Sequence, residues 1–367
     1  MSTLNRREYM QRILATAAAA AAPSVSRGMP RSGTGASLAD EDKIKICLIW
    51  GIRDPHLVKV SEQIGVTHAI AGTDGALRRI PRTQYIDAVA KLKADYEAVG
   101  LKIAGIESHP VPAQKIKLGL PGRDEEIENY IAAIKALGEV GIPMVCYDFC
   151  AGIGWYRSNM DTPGRGGCKT MSFDLQDANK QGPSQWGRIS EEQMWSSIEY
   201  FQKAVIPVAE KAGVQMALHP DDPPVPELRG ITRICNSAAN FRRIMNVVPS
   251  PVNGVTFELS VFTLMGEDIK ALAREWGRQK KIFFIHARNL QGTRDHFIET
   301  FQDDGKIDFG EAFQTLYDNG FRGPLRPDHD PILDGEVGVD PGYGSLGKIF
   351  AVGYIKGILA SRHIPYV

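Results

Sequence analysis

Beyond residue 42 the chain alternates between two patterns. Short apolar runs rich in β-branched residues fall near 44–50, 66–71, 101–106, 142–149, 214–219, 253–258, 281–286 and 323–327. Between them lie amphipathic stretches, among them Gln84 to Val99, Glu125 to Gly138 and Glu191 to Ala212. A near-continuous apolar run of this length reads as a strand covered on both faces, and apolar positions three and four apart read as helix. Eight such units predict a parallel sheet closed into a (β/α)₈ barrel, a TIM barrel. An open doubly wound sheet shares the alternation and is the alternative.

One connection breaks the rhythm. From Cys150 to about Ser190 the chain is polar and rich in Gly, Pro, Asp and Asn. It follows the fourth strand, so on a barrel it would lie over the catalytic face. It reads as a lid or a subunit contact, which leaves homo-oligomerisation open, or equally as a floppy insertion.

The first residues form a different unit. Asn5-Arg6-Arg7-Glu8-Tyr9-Met10 precedes Ile13-Leu14 and an alanine run from Ala17 to Ala22. That order of charge, apolar run and small residues predicts a twin-arginine export signal and a periplasmic or exported protein. If the arginine pair is only a basic tail, the location is cytoplasmic. The apolar run is too short to span a bilayer. Pro23 to Asp42 is a Ser, Gly and Pro linker, so residues 1–42 are signal and linker and 43–367 a catalytic barrel with its insertion at about 150–190.

Charge then narrows the function. The 43 Lys plus Arg balance 43 Asp plus Glu, which leaves no global field for nucleic acid or an anionic membrane. No Gly-x-Gly-x-x-Gly follows the first strand and there is no P-loop, which argues against nucleotide binding. Cys47, Cys146, Cys150, Cys168 and Cys235 are irregularly spaced, unlike a disulfide framework or a zinc knuckle.

Catalytic groups of such barrels sit where strands end. Here strand five ends at His219, strand six at Glu258, strand seven at His286 and strand eight at Asp328-His329. Singly, each has a structural explanation as a hydrogen-bonded core residue, helix cap or ion-pair partner. Jointly, His219, Glu258, His286 and Asp328 predict a four-point cage of nitrogen and oxygen donors for a divalent ion. Such donors suit manganese, iron or zinc better than magnesium. His329 and Tyr343, the latter in Pro341-Gly342-Tyr343-Gly344, are candidate proton-transfer groups; a nearby cation would lower the phenol's pKa. Tyr343 could instead be packing in a tight turn. Arg157, Arg288 and Arg326, with Asn289 beside Arg288, are candidate anchors for an acidic substrate or structural ion-pair partners.

Several stretches resemble mannonate dehydratases, in order, from about Trp50 to the C-terminus. They include Ile106-Glu107-Ser108, Val145-Cys146-Tyr147-Asp148-Phe149, Trp155-Tyr156-Arg157-Ser158, His219-Pro220-Asp221-Asp222-Pro223-Pro224 and Arg326-Pro327-Asp328-His329. The resemblance implies a xylose-isomerase-like barrel that uses manganese or a related divalent ion to dehydrate D-mannonate to 2-keto-3-deoxy-D-gluconate. It implies His219, His286 and Asp328 as ligands and His329 with Tyr343 as the acid–base pair, acting on a small sugar acid. Two departures stand out. Glu258 occupies the position of a family cysteine, a hard donor for a soft one, which shifts preference toward manganese or magnesium. The family's Ala-Leu-His-His-Ile-Pro stretch reads Ala76-Leu77-Arg78-Arg79-Ile80-Pro81, without histidine. A metal-dependent sugar isomerase or epimerase of the same barrel kind is the second reading, slightly favoured by Glu258. A non-catalytic periplasmic sugar-binding protein is the third, against which His329 and Tyr343 argue.

Overall fold

The computed structural model describes residues 38–49, 51–73 and 77–367. The Arg6-Arg7 signal and nearly all of the linker lie outside the described residues, as do Asp74, Gly75 and Ala76. Among the described residues no helix is long and apolar enough to cross a membrane.

The eight apolar runs form eight parallel strands. The first four are β1 (Lys45–Leu48), β2 (His68–Ala71), β3 (Lys102–Glu107) and β4 (Met144–Asp148). The polar connection then lays down β5 (Asn159–Pro163) and β6 (Lys169–Asp174) before β7 (Gln215–His219) resumes the barrel. A two-residue hairpin follows, β8 (Glu227–Leu228) and β9 (Ile231–Thr232). Next come β10 (Asn253–Glu258), β11 (Ile282–Ala287), the hairpin β12 (Asn289–Thr293) and β13 (His296–Thr300), and last β14 (Pro324–Pro327). The barrel closes in the order β1-β14-β11-β10-β7-β4-β3-β2. Closure excludes the open doubly wound sheet and leaves none of the eight barrel strands at an edge. Every residue of β10, β11 and β14 is buried, as a strand between a packed interior and a helical layer must be.

The helices are set by local signals. The longest, Glu191–Ala212, starts where Ser190 accepts from the Gln193 amide, carries Glu191 and Glu192 in its first turn, and stops at Gly213 in the left-handed region. Hydroxyl cap, early acids and a glycine stop satisfy the free amides and carbonyls of the helix ends.

The connection after β4 is not a free loop. Its strands join the hairpin after β11 in one antiparallel sheet, ordered β12-β13-β6-β5. Phe173 of β6 and Phe297 of β13 pack with ring centroids 5.5 Å apart, over a small apolar cluster that includes Val225, Leu264 and Leu290. This second sheet grows from the same strand ends that carry the candidate chemistry.

At the opposite end of the barrel His68 opens β2. It is buried, and burial, reinforced by Lys102 and Lys45, pushes its pKa down to about 4. An unfolded imidazole titrates near 6.5. Between those values the unfolded chain binds a proton that the folded chain refuses, so stability falls as the pH falls through that window. A His68→Gln variant is expected to lose less of its urea midpoint across the window than the parent. Equal slopes would show that His68 does not contribute.

Candidate active site

The C-terminal ends of the barrel strands open into a cavity of about 180 Å³. Parallel strands all point the same way, so residues at successive strand ends meet at one rim. His219, His286, Arg326, Asp328, His329 and Tyr343 all line this cavity. Glu258, Arg157, Arg288 and Asn289 do not.

The His219 Nδ1–H donates to the Pro220 carbonyl at 2.8 Å, which leaves Nε2 as its unshared nitrogen. Burial, then His286, pushes its pKa down to about 4, so the ring is neutral at physiological pH. The His286 ring lies 5.0 Å from it, centroid to centroid. Both His286 nitrogens are buried without a hydrogen-bond partner. They stand 3.5 Å from Glu107 Oε2 and 3.6 Å from Asp328 Oδ2. Burial and Arg326 depress the His286 pKa, but Glu107 and Asp328 outweigh them and lift it well above the imidazole range. Asp328 is held well below the carboxylate range: Arg326, His329 and His286 overcome its burial.

Glu258 has a different use from the one its strand-end position suggests. Its carboxylate caps the helix Leu259–Leu264, accepting from the Ser260 and Val261 amides and from the Ser260 hydroxyl at 2.9 Å. Its remaining neighbour is Arg288 Nη2 at 3.4 Å. These contacts hold the carboxylate at the start of its own helix.

The three arginines are ion-pair partners first. Arg157 Nη2 lies 2.7 Å from Asp222 Oδ2 and 2.5 Å from Glu299 Oε1. Arg288 Nη1 lies 2.9 Å from the same Asp222 oxygen. Arg326 grips Glu107 in two-pronged fashion at 2.8 and 2.5 Å and reaches Asp328 Oδ1 at 2.9 Å. Of the three, only Arg326 reaches the cavity. Asn289 is a brace: its amide donates to the Gln302 and Ile307 carbonyls at 2.9 and 3.1 Å.

His329 and Tyr343 meet at the cavity wall with ring centroids 5.9 Å apart. His329 has φ +48°, a left-handed conformation that turns its side chain away from the direction a strand would give it. Gly342 brings Tyr343 there. At φ +81° a Cβ on Gly342 would lie 2.5 Å from Met171 Cε and 3.4 Å from the His329 ring. Burial, then Asp328, pushes the Tyr343 phenol well above its ordinary value; a cation bound nearby would act in the opposite direction.

Several functional neighbours carried no assigned role in the sequence. Glu107 ends β3 and Asp148 ends β4, and both line the cavity, so the rule that found strands five to eight applies to them too. Lys117 pairs with Asp148 at 3.0 Å. Trp155, from the polar connection, stands 5.1 Å from His329 by ring centroids. None of the described part of 71–81 lines the cavity.

A divalent ion at this rim would need several of these donors at once. Among the described residues no three His, Cys, Asp or Glu side chains are already drawn together to hold one, and Glu258 is committed elsewhere. The chemistry of the other three fits. His286 presents two buried, unpartnered nitrogens between two carboxylates, a place that favours positive charge. A divalent ion would take one of those nitrogens as a ligand and displace the proton that a carboxylate otherwise holds there, leaving the other nitrogen to donate.

Comparison with known proteins agrees with this architecture. The model of the D-mannonate dehydratase (UxuA) family matches residues 44–188 and 177–364. A mannonate dehydratase of Streptococcus equi subsp. zooepidemicus is 34% identical over 345 residues, 86% of this chain and 93% of that protein. The crystal structure of mannonate dehydratase from Streptococcus suis serotype 2 superposes with a TM-score of 0.79 at 31% identity, covering 88% of this chain and 97% of that one. A 3-keto-D-glucoside 4-epimerase from E. coli, at 13% identity and a TM-score of 0.55 over 86% of this chain and 100% of that one, shares the fold. The chain belongs to the D-mannonate dehydratase family and is a hydro-lyase on a xylose-isomerase-like TIM barrel.

Proposed function

We propose that this enzyme removes water from D-mannonate to give 2-keto-3-deoxy-D-gluconate, with a divalent ion held by His219, His286 and Asp328. The observation that carries this reading is the shared cavity wall of His329 and Tyr343 beside those three donors. Imidazole and carboxylate donors suit manganese first, with iron or magnesium as alternatives. When bound, the ion supplies positive charge that makes the proton beside the substrate carboxylate more acidic.

The protein supplies the rest. Arg326 and Lys117 are cationic groups of the cavity wall and face the sugar acid. His329 Nδ1 faces Glu299 and Arg288 at hydrogen-bond distance, so proton exchange with the substrate falls to Nε2. That nitrogen takes the proton from the carbon next to the carboxylate. Tyr343, kept protonated by burial, gives its proton to the hydroxyl leaving the next carbon. Water departs, the resulting enol becomes the 2-keto acid, and the His329 proton returns to the Tyr343 oxygen.

Tyr343→Phe is expected to lower kcat by about 10²-fold or more, the usual share of a positioned proton donor. Because the phenol's pKa is raised, the parent should show no Tyr343-dependent loss as the pH climbs toward about 10, where a free phenol ionises. Full turnover by the phenylalanine variant would remove Tyr343 from the reaction. The activity itself is tested by incubating manganese-loaded full-length protein with D-mannonate and following the 2-keto-3-deoxy acid by NMR. An epimer or isomer formed without loss of water would overturn the lyase reading in favour of an isomerase. Glu258 no longer favours that reading, since its carboxylate faces its own helix.

A further inference from the structure

Within the proposed reaction His329 can act only if its ring is held still. The residue sits in left-handed backbone after β14, where neighbouring peptide groups do not fix the side chain. What grips the ring comes from the second sheet. Glu299 of β13 is buried, and its Oε1 stands 2.9 Å from His329 Nδ1. The same oxygen accepts from Arg157 Nε at 2.8 Å and Nη2 at 2.5 Å. Arg157 follows β4 and also holds Asp222, which follows β7. The carboxylate is thus anchored from two other parts of the rim before it meets the imidazole.

The hydrogen between Glu299 and His329 can be assigned. Arg288 Nη1 also lies 2.8 Å from Nδ1; it donates to Asp222 Oδ2 at 2.9 Å and stands 3.3 Å from Glu299 Oε1. A bare Nδ1 lone pair facing a carboxylate oxygen at hydrogen-bond distance would be repulsive. An ionised Glu299 oxygen only accepts, so the 2.9 Å contact is a hydrogen bond when Nδ1 carries the hydrogen. Arg157, His329 and Arg288 together keep Glu299 ionised: they overcome its burial and hold its pKa below the ordinary carboxylate value.

We propose that Glu299 is the positioning residue of His329: it fixes the ring and its Nδ1–H tautomer, so that the Nε2 lone pair serves the cavity. A buried carboxylate behind an imidazole plays this part in hydrolytic triads, where the wrong tautomer costs up to roughly 10⁴-fold in kcat. The consequence here is structural coupling. The second sheet must be docked for His329 to be competent, because β13 carries Glu299 and the connection after β4 carries Arg157.

The inference rests on His329 as the base, and its test has an arm that needs no substrate. Full-length protein labelled with ¹⁵N-histidine would give the tautomer of His329, its signals identified by their loss in His329→Gln. The parent should show Nδ1 protonated and Nε2 bare. In Glu299→Gln the Nε2–H form should appear, and kcat on D-mannonate should fall by at least about 100-fold with KM changed less than about threefold. In the His329→Gln background, Glu299→Gln should cost no further activity, as expected of residues acting as one unit. If Glu299→Gln does not fold, Glu299→Asp keeps the charge but withdraws Oε1 from Nδ1, and the same tautomer change is expected. An Nε2–H tautomer in the parent, or unchanged ¹⁵N signals and kcat in both variants, would overturn the proposal. A correct tautomer without turnover of D-mannonate would instead count against the substrate.

Discussion

His329→Gln is expected to lower kcat on D-mannonate by about 10²–10⁴-fold, the contribution of a positioned proton-transfer group, with a much smaller change in KM. His329 lines the cavity, faces Trp155 and Tyr343, and has its Nδ1 tied back to Glu299. Glutamine keeps a polar side chain there but offers no nitrogen that exchanges a proton near neutrality. The fold should survive. Glu299 keeps its bonds from Arg157, so the loss is on the order of one buried hydrogen bond, about 1–3 kcal/mol. Thermal unfolding of the variant separates the two effects: a small drop in Tm beside a large drop in kcat is the predicted result. Activity within about tenfold of the parent, below the range for such a group, would mean that another residue moves the proton.

His219→Ala is expected to strip the metal. Dialysed parent protein should retain stoichiometric manganese by elemental analysis, and the variant should not. The affinity loss should exceed the roughly 10–100-fold typical of losing a residue that only supports a ligand. His219 is the cleaner choice than His286. It is only partly buried, and its one protein hydrogen bond goes to the adjacent Pro220 carbonyl. Removing His286 would leave the part-buried Glu107 and the buried Asp328 facing each other across a gap, and folding and metal loss would be confounded. Activity of His219→Ala should return in part with excess manganese. Retention of the ion after dialysis would show that the residue is not a ligand.

How much of this could be read from the sequence follows from how local each signal is. The barrel strands are legible because each is buried on both faces, so runs such as Asn253–Glu258 and Ile282–Ala287 stand out without alignment. The second sheet is not. Residues of β5 such as Met160 and Asp161 are exposed, and β6 pairs with β13 more than 100 residues later, as His296 opposite Asp174 shows. Nothing local announces such a pairing. At Glu258 a strand end and a helix start coincide. Glu258 followed two residues later by Ser260 is also a capping arrangement, and the backbone uses it as one. Arg157 and Arg288 looked like substrate anchors because their partners, Asp222 and Glu299, are remote in sequence. His219, His286, Asp328 and His329 sit at strand ends and line the cavity, and the same strand-end rule applied to β3 and β4 points to Glu107 and Asp148, which line it too.

The central claim is that strand ends from different parts of the barrel grip one ion at which the sugar acid is turned over. Crystals of the full-length protein grown with manganese and D-mannonate, measured at the manganese absorption edge, test it most directly. One anomalous peak is expected within bonding distance of His219 Nε2, a His286 nitrogen and the Asp328 carboxylate, with Glu258 still on its own helix. A peak coordinated by Glu258 but not by His286, or no peak in the cavity of an active preparation, would contradict it.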